Sequence, residues 1–112
     1  MFAPPEIIKT EVFARVPDKL HCSRPSAWVA ARQYDKLGSF LEGPSFDRAG
    51  NLYVVDVPYG RIFRIDPRGE WELVVQYDGE PNGLKIHRDG RIFITDYRNG
   101  LMVLDAASGK VE

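Results

Sequence analysis

The sequence offers little material for disulfide bonds or for binding a strongly charged partner. Cys22 is the single cysteine, so no disulfide can form within the chain. Fifteen basic residues are balanced by 16 acidic ones, which argues against nucleic acid or an anionic membrane as a partner. No apolar run approaches the ~20 residues of a membrane-spanning helix, and the N-terminus lacks the basic leader and apolar segment of a signal peptide. We expect a cytoplasmic chain.

The motifs of several enzyme classes are also missing. The two histidines, His21 and His87, have no partner at a zinc-binding spacing. Ser45, His87 and an aspartate would make a nucleophilic triad on paper, but Ser45 does not lie in a G-x-S-x-G elbow. Phosphate-binding loops are absent, and no basic patch is interleaved with the aromatic residues. These absences disfavour a zinc site, a serine nucleophile and nucleic-acid binding.

An internal repeat organises the rest of the sequence. The segment from Glu42 to Asp66 returns from Asn82 to Asp105. Residues of the same type recur at a spacing of 40: Gly43 with Gly83, Phe46 with Ile86, Gly50 with Gly90, Leu52 with Ile92, Val54 with Ile94 and Asp56 with Asp96. After these pairs the spacing becomes 39, so that Ile65 corresponds to Leu104 and Asp66 to Asp105. A period of about 40 built from short apolar strands is typical of four-stranded propeller blades. The sequence therefore predicts an all-β fold, a partial β-propeller.

Turn residues divide the chain into strands and set the expected boundaries. Asp-Gly and Asn-Gly pairs tolerate the positive φ of tight hairpins. Residues 42–79 are predicted to form blade 1, and residues 80–112 an incomplete blade 2 whose outer strand begins at Lys110. Residues 1–18 contain a predicted strand at 6–16. Residues 19–41 form a long loop in which Trp28 to Ala31 could make one helical turn. This loop is expected to lie over one end of the propeller's central channel, beside Glu42.

Four polar residues stand where strands begin or end. Glu42, at the entry to an innermost strand predicted for Pro44 to Arg48, is a candidate oxygen ligand for a cation such as calcium, or a solvated loop glutamate. Asn82, one repeat later, is a candidate ligand or substrate contact, or simply a turn residue before Gly83. Asp56 and Asp96 both end a second strand, which favours a shared structural role, such as accepting backbone N–H bonds in the following turn, over catalysis.

The sequence resembles the SMP-30/gluconolactonase/LRE family of six-bladed propeller lactonases. The resemblance covers nearly the whole chain except residues 19–40, and the E-G-P motif at Glu42, after a TEVF-type strand, is fairly specific. Three parts of the family pattern are matched: the first strand that closes the ring, the opening blade and the second blade. The matching segments are residues 10–17 (TEVFARVP), 41–47 (LEGPSFD), 50–56 (GNLYVVD), 61–66 (RIFRID), 81–84 (PNGL) and 89–93 (DGRIF).

The resemblance implies a fold, a metal and a reaction. Residues 1–18 would supply the strand of the ring-closing blade, and the chain would be the N-terminal third of a six-bladed propeller. The family's glutamate binds a divalent metal, usually calcium, which assigns that role to Glu42, with Zn²⁺ or Mg²⁺ as alternatives. The asparagine that faces the substrate corresponds to Asn82. The family's other metal ligands, including the aspartate proposed as general base, are expected beyond residue 112.

The leading hypothesis is thus part of a calcium-dependent lactonase that hydrolyses a sugar lactone or related cyclic ester, inactive as these residues alone. The metal would polarise the ring carbonyl while a carboxylate activates water. The rival hypothesis is a non-catalytic propeller module that binds a ligand or protein through its channel face. The expected partners are a small lactone and, at the open sheet edges, further blades or another chain.

Overall fold

Two four-stranded antiparallel sheets make up most of the chain, in a computed structural model that describes all of residues 1–112. Each sheet is a simple meander in which consecutive strands pair. Blade 1 contains β1 (Leu41–Phe46), β2 (Leu52–Asp56), β3 (Arg61–Ile65) and β4 (Trp71–Gln76), and blade 2 contains β5 (Pro81–Ile86), β6 (Ile92–Asp96), β7 (Gly100–Asp105) and β8 (Lys110–Val111). The predicted all-β fold class, two blades of a partial propeller, is confirmed.

The turns explain why the two sheets have the same layout. Gly50 and Gly90 occupy matching turns between the first and second strands of their blades, with φ of 86° and 93°. Side chains with a Cβ rarely adopt this left-handed backbone, so glycine at both positions fixes where each hairpin reverses. The repeated glycines therefore set the register that places equivalent residues at equivalent heights.

The two blades pack face to face through one apolar core. Alternate residues of a strand point to opposite faces of its sheet. Tyr53, Val55 and Ile62 of blade 1 meet side chains from the facing surface of blade 2, and all are nearly or fully buried. The blade 2 members of this core are Leu84, Ile92, Ile94 and Leu104. This core orients blade 2 relative to blade 1.

The opposite face of blade 1 is covered by the N-terminal part of the chain. Phe63 and Ile65 are buried there beneath Ala14 and Leu20. The strand predicted for residues 6–16 is not formed, since residues 1–17 have no regular secondary structure. A strand needs ladder hydrogen bonds from a neighbour, and this segment crosses the face of blade 1 instead of pairing along one of its edges. Its assignment to a ring-closing blade stays a prediction.

The predicted helical turn in the long loop is confirmed as α1 (Ala27–Ala31). Ser26 caps it, because its hydroxyl accepts a hydrogen bond from the Val29 N–H at 3.2 Å. Trp28 and Val29 pack on Val57, in the 3₁₀ turn that follows β2. The loop is thereby fastened to the end of blade 1 where β1 begins. None of the helices has the length and apolar character needed to cross a membrane.

Candidate functional site

Glu42 is the second residue of β1, and its carboxylate has no partner in the chain. It lies opposite Val55 of β2 and is half-buried. None of the ion pairs and none of the side-chain hydrogen bonds involves it. An acidic group that is neither paired nor fully solvated is available to a ligand. The metal-binding role predicted for Glu42 stays a prediction.

Asn82 occupies the corresponding place in blade 2, in the register shift between Pro81 and Gly83 of β5. It is half-buried, and its Oδ1 accepts a hydrogen bond from the Thr95 hydroxyl at 3.1 Å. That bond uses the acceptor end of the amide and leaves the Nδ2 hydrogens to donate elsewhere. Asn82 is therefore a strand residue held by its neighbour, not a free turn residue. Its predicted contact with a substrate stays a prediction.

Close backbone contact brings the two inner strands together beside these residues. Gly43 has a φ of 60°, and a Cβ added to it would lie 2.6 Å from the Leu84 nitrogen and 3.0 Å from the Gly83 carbonyl carbon. A Cβ on Gly83 would meet the Thr95 hydroxyl oxygen at 2.4 Å. Gly43 is thus required by space, because a side chain there would push the two inner strands apart, whereas a side chain at Gly83 would displace the Thr95 hydroxyl. Glu42 and Asn82, each preceding one of these glycines, lie on adjacent strands at matching positions.

Asp56 and Asp96 hold the starts of the inner strands in the same way. Asp56 accepts a hydrogen bond from the Phe40 N–H at 2.8 Å, and Asp96 accepts one from the Glu80 N–H at 3.0 Å. Each donor lies two residues before the candidate site residue, Glu42 or Asn82. The predicted structural role is confirmed for both acids, but the predicted bonds from the following turn are made only to Asp96, by the Arg98 and Asn99 N–H groups. The backbone donor to Asp56 lies before β1.

The remaining partners of the two acids differ. Asp56 is 0% exposed and forms a buried ion pair with Arg61, whose Nε and Nη2 lie 2.8 and 2.6 Å from Oδ2. Burial raises the pKa of Asp56, although Arg61 and the Phe40 N–H oppose this. Asp96 has no arginine and instead accepts from the Tyr77 hydroxyl at 2.7 Å and from two N–H groups of the following turn, those of Arg98 and Asn99.

The hydrogen bonds to Asp96 change its acidity. Burial alone would raise the pKa of Asp96, but the Tyr77 hydroxyl and the N–H groups of Arg98, Glu80 and Asn99 stabilise the carboxylate, so its pKa is lowered. The same contact and the burial of the phenol raise the pKa of Tyr77. Asp96 is thus a carboxylate whose oxygens already accept hydrogen bonds, which favours a structural role over that of a general base.

The other polar residues named from the sequence are not brought into one centre. His87 contacts Asp89 instead, with its Nδ1 2.9 Å from the Asp89 Oδ1. Ser45 makes no hydrogen bond to it and lies opposite Tyr53 in the β1–β2 ladder. His21 bonds the Val16 carbonyl at 3.1 Å, and Cys22 is a free thiol. The triad that can be written on paper is absent.

The set of possible metal ligands is small. No three histidine, cysteine, aspartate or glutamate side chains cluster in a way that could hold a metal ion. Calcium takes six to eight oxygen ligands, and carboxylates supply the charge. Glu42 fits such a site as one carboxylate ligand, and Asn82 occupies the matching position of the next inner strand. These residues account for part of a ligand set and not for a complete one.

Sequence reasoning missed the residues that support the site. Thr95 holds Asn82, and its equivalent in blade 1 is Val55, so the repeat itself gave no hint of a hydroxyl. Tyr77 and Arg61 were likewise not expected as partners of Asp96 and Asp56. The one available signal was the change from Val55-Asp56 to Thr95-Asp96, a polar residue at a position where the first repeat is apolar.

Comparisons with known proteins show that part of the chain is similar to lactonases. No family model matches the chain. It is 42% identical over 65 residues to Lactonase drp35 of Staphylococcus aureus strain USA300, which covers 55% of this chain and 20% of that protein. The corresponding figures for Lactonase drp35 of Staphylococcus epidermidis are 38% over 72 residues, 59% and 22%. The chain thus spans about a fifth of the length of the curated relatives it matches. Over more than half of its own length it is similar to lactonases, which supports a relationship with the lactonase family.

Proposed function

We propose that this chain forms two neighbouring blades of a metal-dependent lactonase of the gluconolactonase type, which hydrolyses a sugar lactone or a related cyclic ester. The observation that carries the proposal is the free Glu42 carboxylate beside the start of β5, where Gly43 touches the backbone of Gly83 and Leu84. The similarity to Lactonase drp35 supports the same reaction class. The first line of support comes from the folded structure and the second from the sequence comparison.

Glu42 would be the metal ligand that these residues contribute. The proposed metal is calcium, with Zn²⁺ or Mg²⁺ as alternatives, because all three accept carboxylate oxygen. When bound, such a metal supplies Lewis-acid polarisation of the lactone carbonyl. Since Glu42 is one carboxylate and no cluster of three possible ligands surrounds it, the further ligands and the general base of the proposal come from other segments of the propeller. Residues 1–112 alone are then expected to hydrolyse little or no lactone.

Asn82 would orient the substrate, and its contact with Thr95 decides how. The Thr95 hydroxyl donates to Oδ1, so Nδ2 is the end of the amide left for a ligand. An N–H donor fits the ring oxygen, carbonyl or hydroxyl oxygens of a sugar lactone. The proposal therefore makes Asn82 a hydrogen-bond donor to substrate and Thr95 a positioning residue.

A further blade is proposed to cover the far side of blade 2. Phe93, Thr95 and Leu101 share the face that points away from blade 1, and Leu101 is 69% exposed. Its repeat equivalent in blade 1, Ile62, is fully buried by blade 2. An apolar pocket of about 480 Å³ lies on this open face, between β1 and the side chains of Phe93 and Leu101. Repeated blades bury such faces against their neighbours.

The metal role of Glu42 is tested by calcium titration and lactone hydrolysis in the protein that carries this sequence. Glu42→Gln keeps the size of the side chain and removes its charge, and we expect calcium affinity and kcat/KM to fall at least about tenfold. The matched control is Glu70→Gln, at an exposed glutamate just before β4, which should change neither. Unchanged calcium affinity in Glu42→Gln would remove Glu42 from the metal site.

A further inference from the structure

A second pocket lies between the blades at the end opposite to Glu42. It has a volume of about 280 Å³ and is bounded by the turns that follow β1 and β5. β1 runs from Glu42 to this turn, a distance of about 16 Å at ~3.3 Å per strand residue. The pocket shares no lining residue with the Glu42 and Asn82 site, so a ligand bound in it would not touch either residue.

The polar lining of this pocket is mainly basic. Arg48 and Arg88 are equivalent residues of the two repeats, both line the pocket, and neither forms an ion pair. Asp47 is the single acidic residue in the lining. Its two carboxylate oxygens already accept hydrogen bonds from the backbone and side-chain N–H groups of Asn51, at 2.9 and 2.8 Å. Two arginines therefore line the pocket against one carboxylate, and neither arginine has an acidic partner.

Half of the lining is apolar. Tyr53, Ile86 and Ile92 belong to or pack against the core between the blades, and their side chains form the inner wall together with Ala49 and Ala106. A small, fully hydrated ion would gain no binding free energy from contact with such an apolar wall. An organic anion with an apolar body would bury that body against it while its charged end reached the arginines.

We propose that this pocket binds a small organic carboxylate with an apolar body, and that Arg48 and Arg88 hold the carboxylate. Guanidinium groups bind carboxylates through paired N–H···O bonds, which gives this anion an advantage over one that only needs charge. The repeat supplies the arrangement, since the same arginine in two neighbouring turns places two donors at one pocket. The assignment does not depend on lactone hydrolysis or on a metal.

The test uses benzoate as the probe and amide chemical shifts of the isotope-labelled chain as the readout. We expect saturable shifts at Arg48, Ala49, Arg88 and Gly90, with Glu42 and Asn82 unaffected. Benzamide, which has the same ring without the charge, should bind at least about tenfold more weakly, because it cannot form charged pairs. Raising sodium chloride from about 20 to about 200 mM should weaken benzoate binding through screening.

Three variants separate this pocket from general surface charge. Arg48→Gln and Arg88→Gln should each raise the Kd for benzoate about three- to tenfold. Arg68→Gln removes the same charge from an exposed arginine that does not line the pocket, and it should leave the Kd unchanged. All three sites are exposed, so a preserved amide spectrum will show that each variant is folded.

Several outcomes would overturn the assignment. Equal binding of benzamide would show that the arginines do not hold the ligand. An equal loss in Arg68→Gln would show that benzoate responds only to net charge. Inorganic phosphate binding as tightly as benzoate would show that the apolar wall contributes nothing, and shifts at Glu42 and Asn82 instead of the two turns would place the ligand elsewhere.

Discussion

Blade 1 and blade 2 have the same strands and turns, but only blade 1 is covered on both faces. One face of blade 1 packs on blade 2, and the other lies under Ala14 and Leu20. Blade 2 is buried only on the side of blade 1, and its far face leaves Leu101 69% exposed. Equivalent residues of a repeat therefore contribute differently to stability, according to what packs on them, as expected where each unit buries its face against the next.

The two blades also stabilise equivalent acids by different means. Besides the Phe40 N–H, Asp56 has one buried arginine as its charged partner, and this arginine also donates to the Leu20 carbonyl at 2.7 Å and to the Ser39 hydroxyl at 3.1 Å. Gly100 occupies the position of Arg61 in blade 2, so Asp96 relies on a tyrosine and on backbone N–H groups. Concentrating the stabilisation in one charged partner makes blade 1 more sensitive to a single substitution than blade 2.

The largest expected effect comes from removing Arg61. Arg61→Met would leave the Asp56 carboxylate buried without its countercharge, which costs about 3–5 kcal/mol. Tyr77→Phe removes one of several hydrogen bonds to Asp96 and should cost about 1 kcal/mol. Urea unfolding of both variants measures the difference. Arg91→Met, at an exposed ion pair with Asp89, is the control and should change the free energy of unfolding by less than about 0.5 kcal/mol. Equal losses in the first two variants would refute the comparison between the acids.

The next effect separates the covered and open faces. Ile62→Ala deletes a fully buried side chain and should cost about 2–5 kcal/mol. Leu101→Ala, at the equivalent position of blade 2, should cost less than about 0.5 kcal/mol in residues 1–112. In a longer polypeptide that covers this face, the cost of Leu101→Ala should rise toward that of Ile62→Ala. If it stays small there as well, no blade packs on this face.

Local signals in the sequence predicted the blades well. Glycines and Asp-Gly or Asn-Gly pairs determine where the chain reverses, and alternating apolar residues show that both faces of β2 are to be buried. The start of β1 was less well predicted, because Gly43 with its positive φ reads as a break. Pairing continues beyond it, with Leu41 opposite Asp56 and Glu42 opposite Val55.

Contacts between distant segments could not be predicted from the sequence. A strand at residues 6–16 was expected from its composition, but composition does not specify a pairing partner. The contact between Thr95 and Asn82 depends on the register shift at Gly83, which places the amide over the neighbouring strand. The placement of Glu42 beside the start of β5 follows from the close approach of two glycines, which a residue pattern does not encode.

A smaller effect concerns the dependence of stability on pH. The pKa of Asp96 is lowered in the folded chain, so its contribution is fully present above the unfolded carboxyl pKa of about 3.9 and is lost as the pH falls through the folded value. In Asp96→Asn, the free energy of unfolding should therefore fall less steeply as the pH decreases from about 4 to the folded pKa of Asp96. Denaturant unfolding measured across this range checks the slope. Asp18→Asn, at an exposed aspartate of the first 3₁₀ turn, is the control and should lose stability over this pH range as the unsubstituted chain does.

The smallest effect on stability is expected where blade 2 is made to resemble blade 1. Thr95→Val introduces the residue found at the equivalent position 55, and at an exposed site it should change the free energy of unfolding by less than about 0.5 kcal/mol. Without the hydroxyl, the Asn82 amide is free to rotate, because Oδ1 loses its donor.

In the proposed lactonase the KM of Thr95→Val should then rise about three- to tenfold with little change in kcat, since the loose Asn82 amide weakens substrate binding. Thr95→Ser keeps the hydroxyl and should restore the KM. If Thr95→Val and Thr95→Ser behave alike, the hydroxyl does not position Asn82, and the difference between Val55 and Thr95 has no part in substrate binding.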